Sequence, residues 1–162
     1  MIISKEYTVR SALIDDISVL VDHHCLMCGE VEHFTHVDTN SEAYEKLKVS
    51  YRKKLEFELK HSICKSWIVE VNNKALASGT ISILSMVPSP IDHTCLAAYV
   101  HSMYTVEDFR RNGFAVAILN EMKEYCLSEG ITRILLNASN EGRPVYESIG
   151  FQPVASIMML QL

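Results

Sequence analysis

Apolar positions change their spacing several times along the chain, and each change predicts an element. Tyr7, Val9 and Ser11 share one side of a strand predicted over Glu6 to Ala12. From Ile14 the interval becomes helical: Ile14, Ile17, Val21, His24 and Cys28 recur every three or four residues, and Asp15 and Asp16 stand where a helix dipole favours acid. That helix is expected to end near Gly29. Thr39-Asn40-Ser41-Glu42 has the form of a capping box and predicts a second helix with the stripe Tyr44, Leu47, Tyr51, Leu55 and Leu59. Lysines, Arg52 and glutamates mix signs on its other faces, which marks them as solvated rather than as a nucleic-acid contact.

The spacing then shortens to strands. Trp67 to Val71 and Ala75 to Leu84, joined by Asn72-Asn73, read as a hairpin. Pro88-Ser89-Pro90 interrupts the sheet before a central strand beginning near Leu96, so three sequential strands are expected to be antiparallel neighbours. After Gly113 a helix buries Phe114, Ile118, Met122, Tyr125 and Cys126 and stops at Gly130. Ile131 to Leu136 is a nearly continuous apolar run, as expected of a covered strand parallel to the central one. Glu141 to Ile149 reads as a short helix with Pro144 in its first turns, and Phe151 to Leu162 as a final strand or two.

Chemistry shows at the turn before the third long helix, Glu107 to Gly113. A helix N-terminus presents unpaired N–H groups and the positive end of the dipole. Gly113 removes a Cβ that would keep an anion off the backbone, Ala115 keeps the first turn slim, and Arg110 and Arg111 add guanidinium charge suited to phosphate oxygens. A pyrophosphate seat is the reading that follows, with a basic turn of no special role as its competitor. Neither a Gly-x-x-x-x-Gly-Lys run nor a Gly-x-Gly-x-x-Gly after a strand is present.

Arg110-Arg111-Asn112-Gly113-Phe114-Ala115 resembles the acyl-CoA pyrophosphate motif of GNAT-type N-acetyltransferases, and Leu136 to Phe151, ending Tyr146-Glu147-Ser148-Ile149-Gly150-Phe151, is similar to that family's second conserved segment. The resemblance implies an α/β fold with a mixed sheet of six to seven strands and helices on both faces, one N-acetyltransferase domain over residues 1–162, and acetyl-CoA as cofactor. It implies acetyl transfer to an amine, a small primary amine or an amino-terminal group; the alternative is a non-catalytic acyl-CoA-binding module. By the same match Met103, Tyr104 and Thr105 pair through their backbone with the pantetheine arm, and the Met103 amide faces the acetyl carbonyl. Arg110, Arg111, Asn112, Gly113, Phe114 and Ala115 hold the diphosphate. Ser139 and Asn140 stand near a cofactor-contacting asparagine of the family, without resolving which of them makes the contact. Glu107 replaces a frequent proline.

Tyr146 matches the tyrosine that protonates the departing CoA sulfur, a role a phenol can fill; the competing reading packs it beneath Gly150-Phe151. For the base, His101 has the strand parity of Met103 and Thr105, and a neutral imidazole accepts an ammonium proton. A hydrogen-bonded strand histidine, a water chain, Tyr99 and Glu30 are the alternatives. Acceptor recognition is expected from residues 23–39 and 86–94, where Glu30, Glu32 and Asp92 could meet a cationic amine.

Composition narrows the classes. The chain has 162 residues, 48% hydrophobic, and a net charge of −5, which argues against nucleic acid and acidic membrane partners. No leader or spanning segment is read from the sequence, so a cytoplasmic location is expected, with Cys25, Cys28, Cys64, Cys95 and Cys126 as reduced thiols. Cys25-x-x-Cys28 followed by His33-x-x-His36 has the ligand types of a zinc site, but both cysteines lie inside a predicted helix and the gap is short, so no metal is expected. Partners are then a small-molecule or peptide amine, and a second copy through the C-terminal strand edge.

Overall fold

The computed structural model describes residues 6–31, 36–154 and 160. Their elements run β1 (Thr8–Ser11), α1 (Ile17–Glu30), α2 (Glu42–Lys60), β2 (Cys64–Val71), β3 (Lys74–Ser85), β4 (Leu96–Thr105), α3 (Phe114–Ser128), β5 (Ile134–Leu136) and α4 (Arg143–Ser148). The strands form one sheet in the order β1-β2-β3-β4-β5, antiparallel except for the parallel β4–β5 pair. This is the mixed α/β architecture expected, with five strands among the described residues rather than six or seven. The final strands expected after Phe151 fall on residues that lie mostly outside the described ones, and 151–154 are not strand.

The alternation of β2 explains the layering. Trp67, Val69 and Val71 face α3, where they meet Phe114, Ile118, Leu119, Met122 and Cys126. Ile68 points the other way, into a second core built from Ile17, Leu20 and Val21 of α1 and Tyr44, Tyr51 and Leu55 of α2. Helices thus cover both faces, and each fully buried Leu or Ile contributes roughly 1.5–3 kcal/mol. Asn72 and Asn73 both take left-handed backbone (φ 51° and 59°), which a two-residue hairpin turn demands and asparagine tolerates. Arg10 ties the β1 edge together, donating to both Asp16 oxygens at 2.7 and 2.8 Å and to Glu70 at 2.7 Å.

Two local expectations are corrected. Ile14 lies in a short 3-10 turn ahead of α1 and is 53% exposed; Leu20, His23 and Cys25 are buried with Ile17, Val21 and Cys28. The capping box does not form, because α2 begins two residues later than Thr39 would place it: Ser41 is the N-cap, without a side-chain cap bond. Gly130, at φ 70°, does end the turn after α3 as the sequence suggests.

Candidate active site

The site is made where β4 breaks its own rule of alternation. Thr80 pairs with His101 and Ser78 with Tyr104, so Ser102 and Met103 together oppose Gly79 alone. The extra residue is a β-bulge, and Ser102 takes the cost of it with φ 56°, unusual for a residue bearing a Cβ. Gly79 is required opposite: a Cβ there would sit 2.2 Å from Met103 Sδ and 2.9 Å from Met122 Cε. The bulge also overturns the parity expected for His101. His101 and Ser102 both face α1 and α2, whereas Met103 packs toward α3.

Beyond the bulge β4 parts from its neighbour. Pairing with β5 covers only Ala98, Tyr99 and Val100. A cleft of about 130 Å³ opens there, lined by Met103, Tyr104, Thr105, Ala115, Gly142, Val145 and Tyr146. Residues of β4 and of the segment around α4 that lie 37 to 43 positions apart in the sequence are thereby gathered at a strand edge left unpaired among the described residues, whose backbone groups need partners from elsewhere. Tyr146 reaches the cleft from α4, set edge-on against Phe151 with ring centres 5.8 Å apart. Burial pushes its phenol above the usual range, so it remains protonated at neutral pH. Gly142 permits this closeness: a Cβ on it would lie 3.2 Å from the Tyr146 ring and 3.2 Å from Ser139 Oγ.

The turn into α3 has the form of an anion seat. The first bond of the helix runs from the Ala117 N–H to the Gly113 carbonyl at 3.0 Å, leaving the preceding amides of the helix start without helical acceptors. Gly113 takes φ 80° and Arg111 φ 62°, and no atom of the described residues lies within 4 Å of where a Gly113 Cβ would be. Asn112 Nδ2 donates to the carbonyls of Phe109 (2.9 Å) and Arg110 (3.2 Å), fixing the turn. Arg111 is exposed. Arg110 instead reaches away from the seat: its Nε donates to the Thr105 carbonyl at 3.1 Å and its terminal nitrogen pairs with Glu30 at the end of α1. Phe114 is buried against Tyr7, so only its backbone is available. Ser139 caps the turn into α4, its Oγ accepting from the Gly142 N–H at 3.1 Å, while Asn140 is exposed.

The Acetyltransferase (GNAT) domain model matches residues 34–158 of this sequence. The chain belongs to the GNAT acetyltransferase family. Among solved structures it is similar to a predicted acetyltransferase from Clostridium acetobutylicum crystallised with acetyl-CoA, at 26% identity over 96% of each chain and a TM-score of 0.85. A GCN5-related N-acetyltransferase from Ralstonia eutropha JMP134 superposes with a TM-score of 0.82 at 20% identity, over 96% of this chain and 99% of that one. Glucosamine-6-phosphate N-acetyltransferase from Arabidopsis thaliana shares the fold at 16% identity and a TM-score of 0.69, covering 98% and 99%. No curated protein matches the sequence.

Within this GNAT chain the cleft unites five of the sequence-derived residues, Met103, Tyr104, Thr105, Ala115 and Tyr146, and excludes others from its wall. Arg110 to Phe114 form the adjoining turn, and His101 lies across the sheet. Sequence reasoning passed over Gly142 and Val145; the spacing of Gly142 and Tyr146, four apart on one helix face, was the available sign. Asp92 is withdrawn from acceptor binding, because it is consumed in tying its loop to the start of β5. It pairs with Arg133, accepts from Thr132 at 3.1 Å, and accepts twice from Thr94, which holds its carboxyl down at about 2. Glu32 lies outside the described residues.

On the far side of the bulge lies a polar cluster that sequence reading missed apart from His101. Ser102 Oγ meets Tyr51 Oη at 2.8 Å, His24 Nδ1 at 2.9 Å and His101 Nδ1 at 2.9 Å. Ser82 Oγ meets His101 Nε2 at 3.0 Å, Glu58 at 3.2 Å and Lys54 at 3.3 Å. Burial lowers both His24 and His101 to about 4, Lys54 and His24 adding to the effect on His101, so both imidazoles are neutral near pH 7.

Proposed function

We propose that this chain transfers the acetyl group of acetyl-CoA directly to an amine, either a small primary amine or an amino terminus, within one domain spanning residues 1–162. The observation that carries the reading is the cleft beside β4 beyond its pairing with β5, where Met103, Tyr104 and Thr105 line one space with Tyr146 of α4 and Ala115 of the first turn of α3. Acetyl-CoA supplies the activated acyl group. The residues fit it: free amides and Arg111 at the α3 start suit the diphosphate, with the direction of a Gly113 Cβ open, and the unpaired edge of β4 suits an arm that itself carries amides.

In this reading the Met103 amide donates to the acetyl oxygen as charge develops there, a task for backbone that places little demand on the side chain. Tyr146 holds the proton that the departing sulfur needs. His101 takes part in removing the acceptor's proton. Arg110 has to exchange Glu30 for phosphate before it can help the diphosphate.

Free-thiol release from acetyl-CoA across a panel of amines tests the reading. One or more amines should accelerate release, and Tyr146→Phe should lower kcat by about 10²-fold with little change in the KM for acetyl-CoA. Unchanged kcat in Tyr146→Phe removes that residue from the chemistry, and no acceleration by any amine removes the activity.

A further inference from the structure

The hydrogen bonds around the bulge have a single consistent direction. Ser82 has one hydrogen and gives it to Glu58 Oε2, while Lys54 donates to the same hydroxyl. His101 Nε2 must therefore be the donor to Ser82. A neutral imidazole carries one N–H, so His101 Nδ1 is bare and accepts from the Ser102 hydroxyl. With that hydrogen spent and Tyr51 already donating to Ser102, His24 Nδ1 must donate to Ser102 as well. Of the two imidazoles, His24 alone is left with a lone pair not taken by a strong donor, on Nε2, whose neighbour is the Cys28 thiol at 3.7 Å, a weak donor. His101 has no lone pair to spare.

We infer that His24 Nε2, not His101, receives the proton of the incoming ammonium, and that Ser102, His101 and Ser82 relay it to Glu58 at the α2 surface. The inference rests on the acetyltransferase reading above. His24 is suited to the entry by position: it is partly exposed, stacked on Tyr51 at 4.0 Å between ring centres, and one hydrogen bond from the residue preceding Met103.

The transfer balances. The ammonium N–H breaks as a new N–H forms at His24 Nε2; the His24 Nδ1 proton passes to Ser102, the Ser102 proton to His101 Nδ1, the His101 Nε2 proton to Ser82, and the Ser82 proton to Glu58. Glu58 then loses it to solvent, and the hydroxyls and tautomers turn back. No imidazolium need accumulate, which suits two rings held neutral by burial. The titratable and charged groups facing the hydrogen-bond chain are Cys28 from α1, Tyr51, Lys54 and Glu58 from α2, Cys64 from β2, and Tyr99 from β4. Burial raises the Cys28 thiol to about 11 and the Tyr51 phenol to about 12, so neither competes for the proton's path near neutrality.

Two measurements test it. In long-range ¹H–¹⁵N spectra of the whole protein at neutral pH, His24 should be the Nδ1–H tautomer, the less common one for a free imidazole, and His101 the Nε2–H tautomer; the reverse tautomer at His24 overturns the relay without any acceptor being known. In kinetics, benzylamine arrives as an ammonium and hydroxylamine already unprotonated. The ratio of thiol-release rates with benzylamine to those with hydroxylamine should fall at least about tenfold in Ser82→Ala and in Glu58→Gln. A ratio unchanged in both variants overturns the relay, since loss of fold alone lowers both rates together. No release with either nucleophile in the parent protein, the tautomers being as expected, overturns the acetyltransferase reading instead.

Discussion

The two faces of β4 are built from different materials. Toward α3 and the cleft the strand offers backbone, Met103 and apolar neighbours; toward α1 and α2 it offers His101 and Ser102 in a connected polar chain. One inserted residue separates them. Without the bulge, strict alternation would send His101, Met103 and Thr105 to the same side, mixing imidazole chemistry with cofactor packing. With it, the cleft residue Met103 and the polar pair His101 and Ser102 face opposite sides of one strand, which is what the proposed division between donor binding and proton handling requires. The difference teaches that the side-chain period of a strand can be reset where function needs two environments.

Acid should break the polar face first, and with the largest effect. His24 and His101 have folded values near 4 against about 6.5 for an unfolded histidine. Between those limits the unfolded chain binds more protons, so stability rises with pH; the contribution is whole above about 6.5 and lost as pH falls toward 4. Each imidazole accounts for about 3 kcal/mol at the acid end, and the total for the two is less than double because they share one hydrogen-bond chain. Urea midpoints between pH 7 and 4 should show the slope, and a His24→Gln, His101→Gln double variant should flatten it. The carboxyls of Asp16 and Asp92, held low by Arg10 and by Thr94 respectively, lose their contribution only further into acid, which keeps the windows apart.

Gly79→Val attacks the other face. The new side chain would drive into Met103 Sδ and, behind it, Met122 and Ile118, so stability should drop by about 1–3 kcal/mol. The more telling readout is acetyl-CoA binding by calorimetry, which should weaken at least as much as it would from a direct cleft substitution, because Met103 is displaced together with its amide. Affinity that holds while stability falls would detach the bulge from the donor site.

Long periodic segments were legible from the sequence, and so was the turn into α3. Both helix stripes, the β2–β3 hairpin and the β4–α3–β5 crossover follow from spacing and turn residues that act locally. Three things were not. The bulge was hidden because Ser102 carries no mark of its left-handed backbone, although Gly79 inside an apolar strand was a faint sign of close approach. Arg110 and Asp92 looked available for ligands because their partners Glu30 and Arg133 are 80 and 41 residues distant in sequence. His24 read as one member of a helix stripe, and only the docking of α1 on β4 turned it into a neighbour of Ser102.

The anion seat permits a separation of backbone strain from ligand contact. Gly113 at φ 80° has no atom of the described residues near its missing Cβ, so Gly113→Ala should cost about 1 kcal/mol through conformation rather than crowding. Asparagine adopts this backbone more readily, so Gly113→Asn should recover much of the thermal stability. Both variants place a Cβ beside the free amides, and both should therefore weaken acetyl-CoA equally. If affinity recovers along with stability in Gly113→Asn, the glycine serves the turn alone and the diphosphate rests elsewhere.

The smallest effect is expected where the two faces meet at the end of the strand. Arg110 spans them: its Nε holds the Thr105 carbonyl on the cleft side, its terminal nitrogen pairs with Glu30 of α1, and its guanidinium lies 6.0 Å from the Tyr104 ring. Both partners of the ion pair are more than a third exposed, which limits its worth to under about 1 kcal/mol. Glu30→Gln should accordingly leave the melting temperature almost unmoved. It should tighten acetyl-CoA binding by about twofold to fivefold at low salt, because Arg110 no longer has to give up a carboxylate to reach phosphate, and the gain should fade as ionic strength rises. Weaker binding in Glu30→Gln would mean that the carboxylate positions Arg110 for the cofactor rather than competing with it.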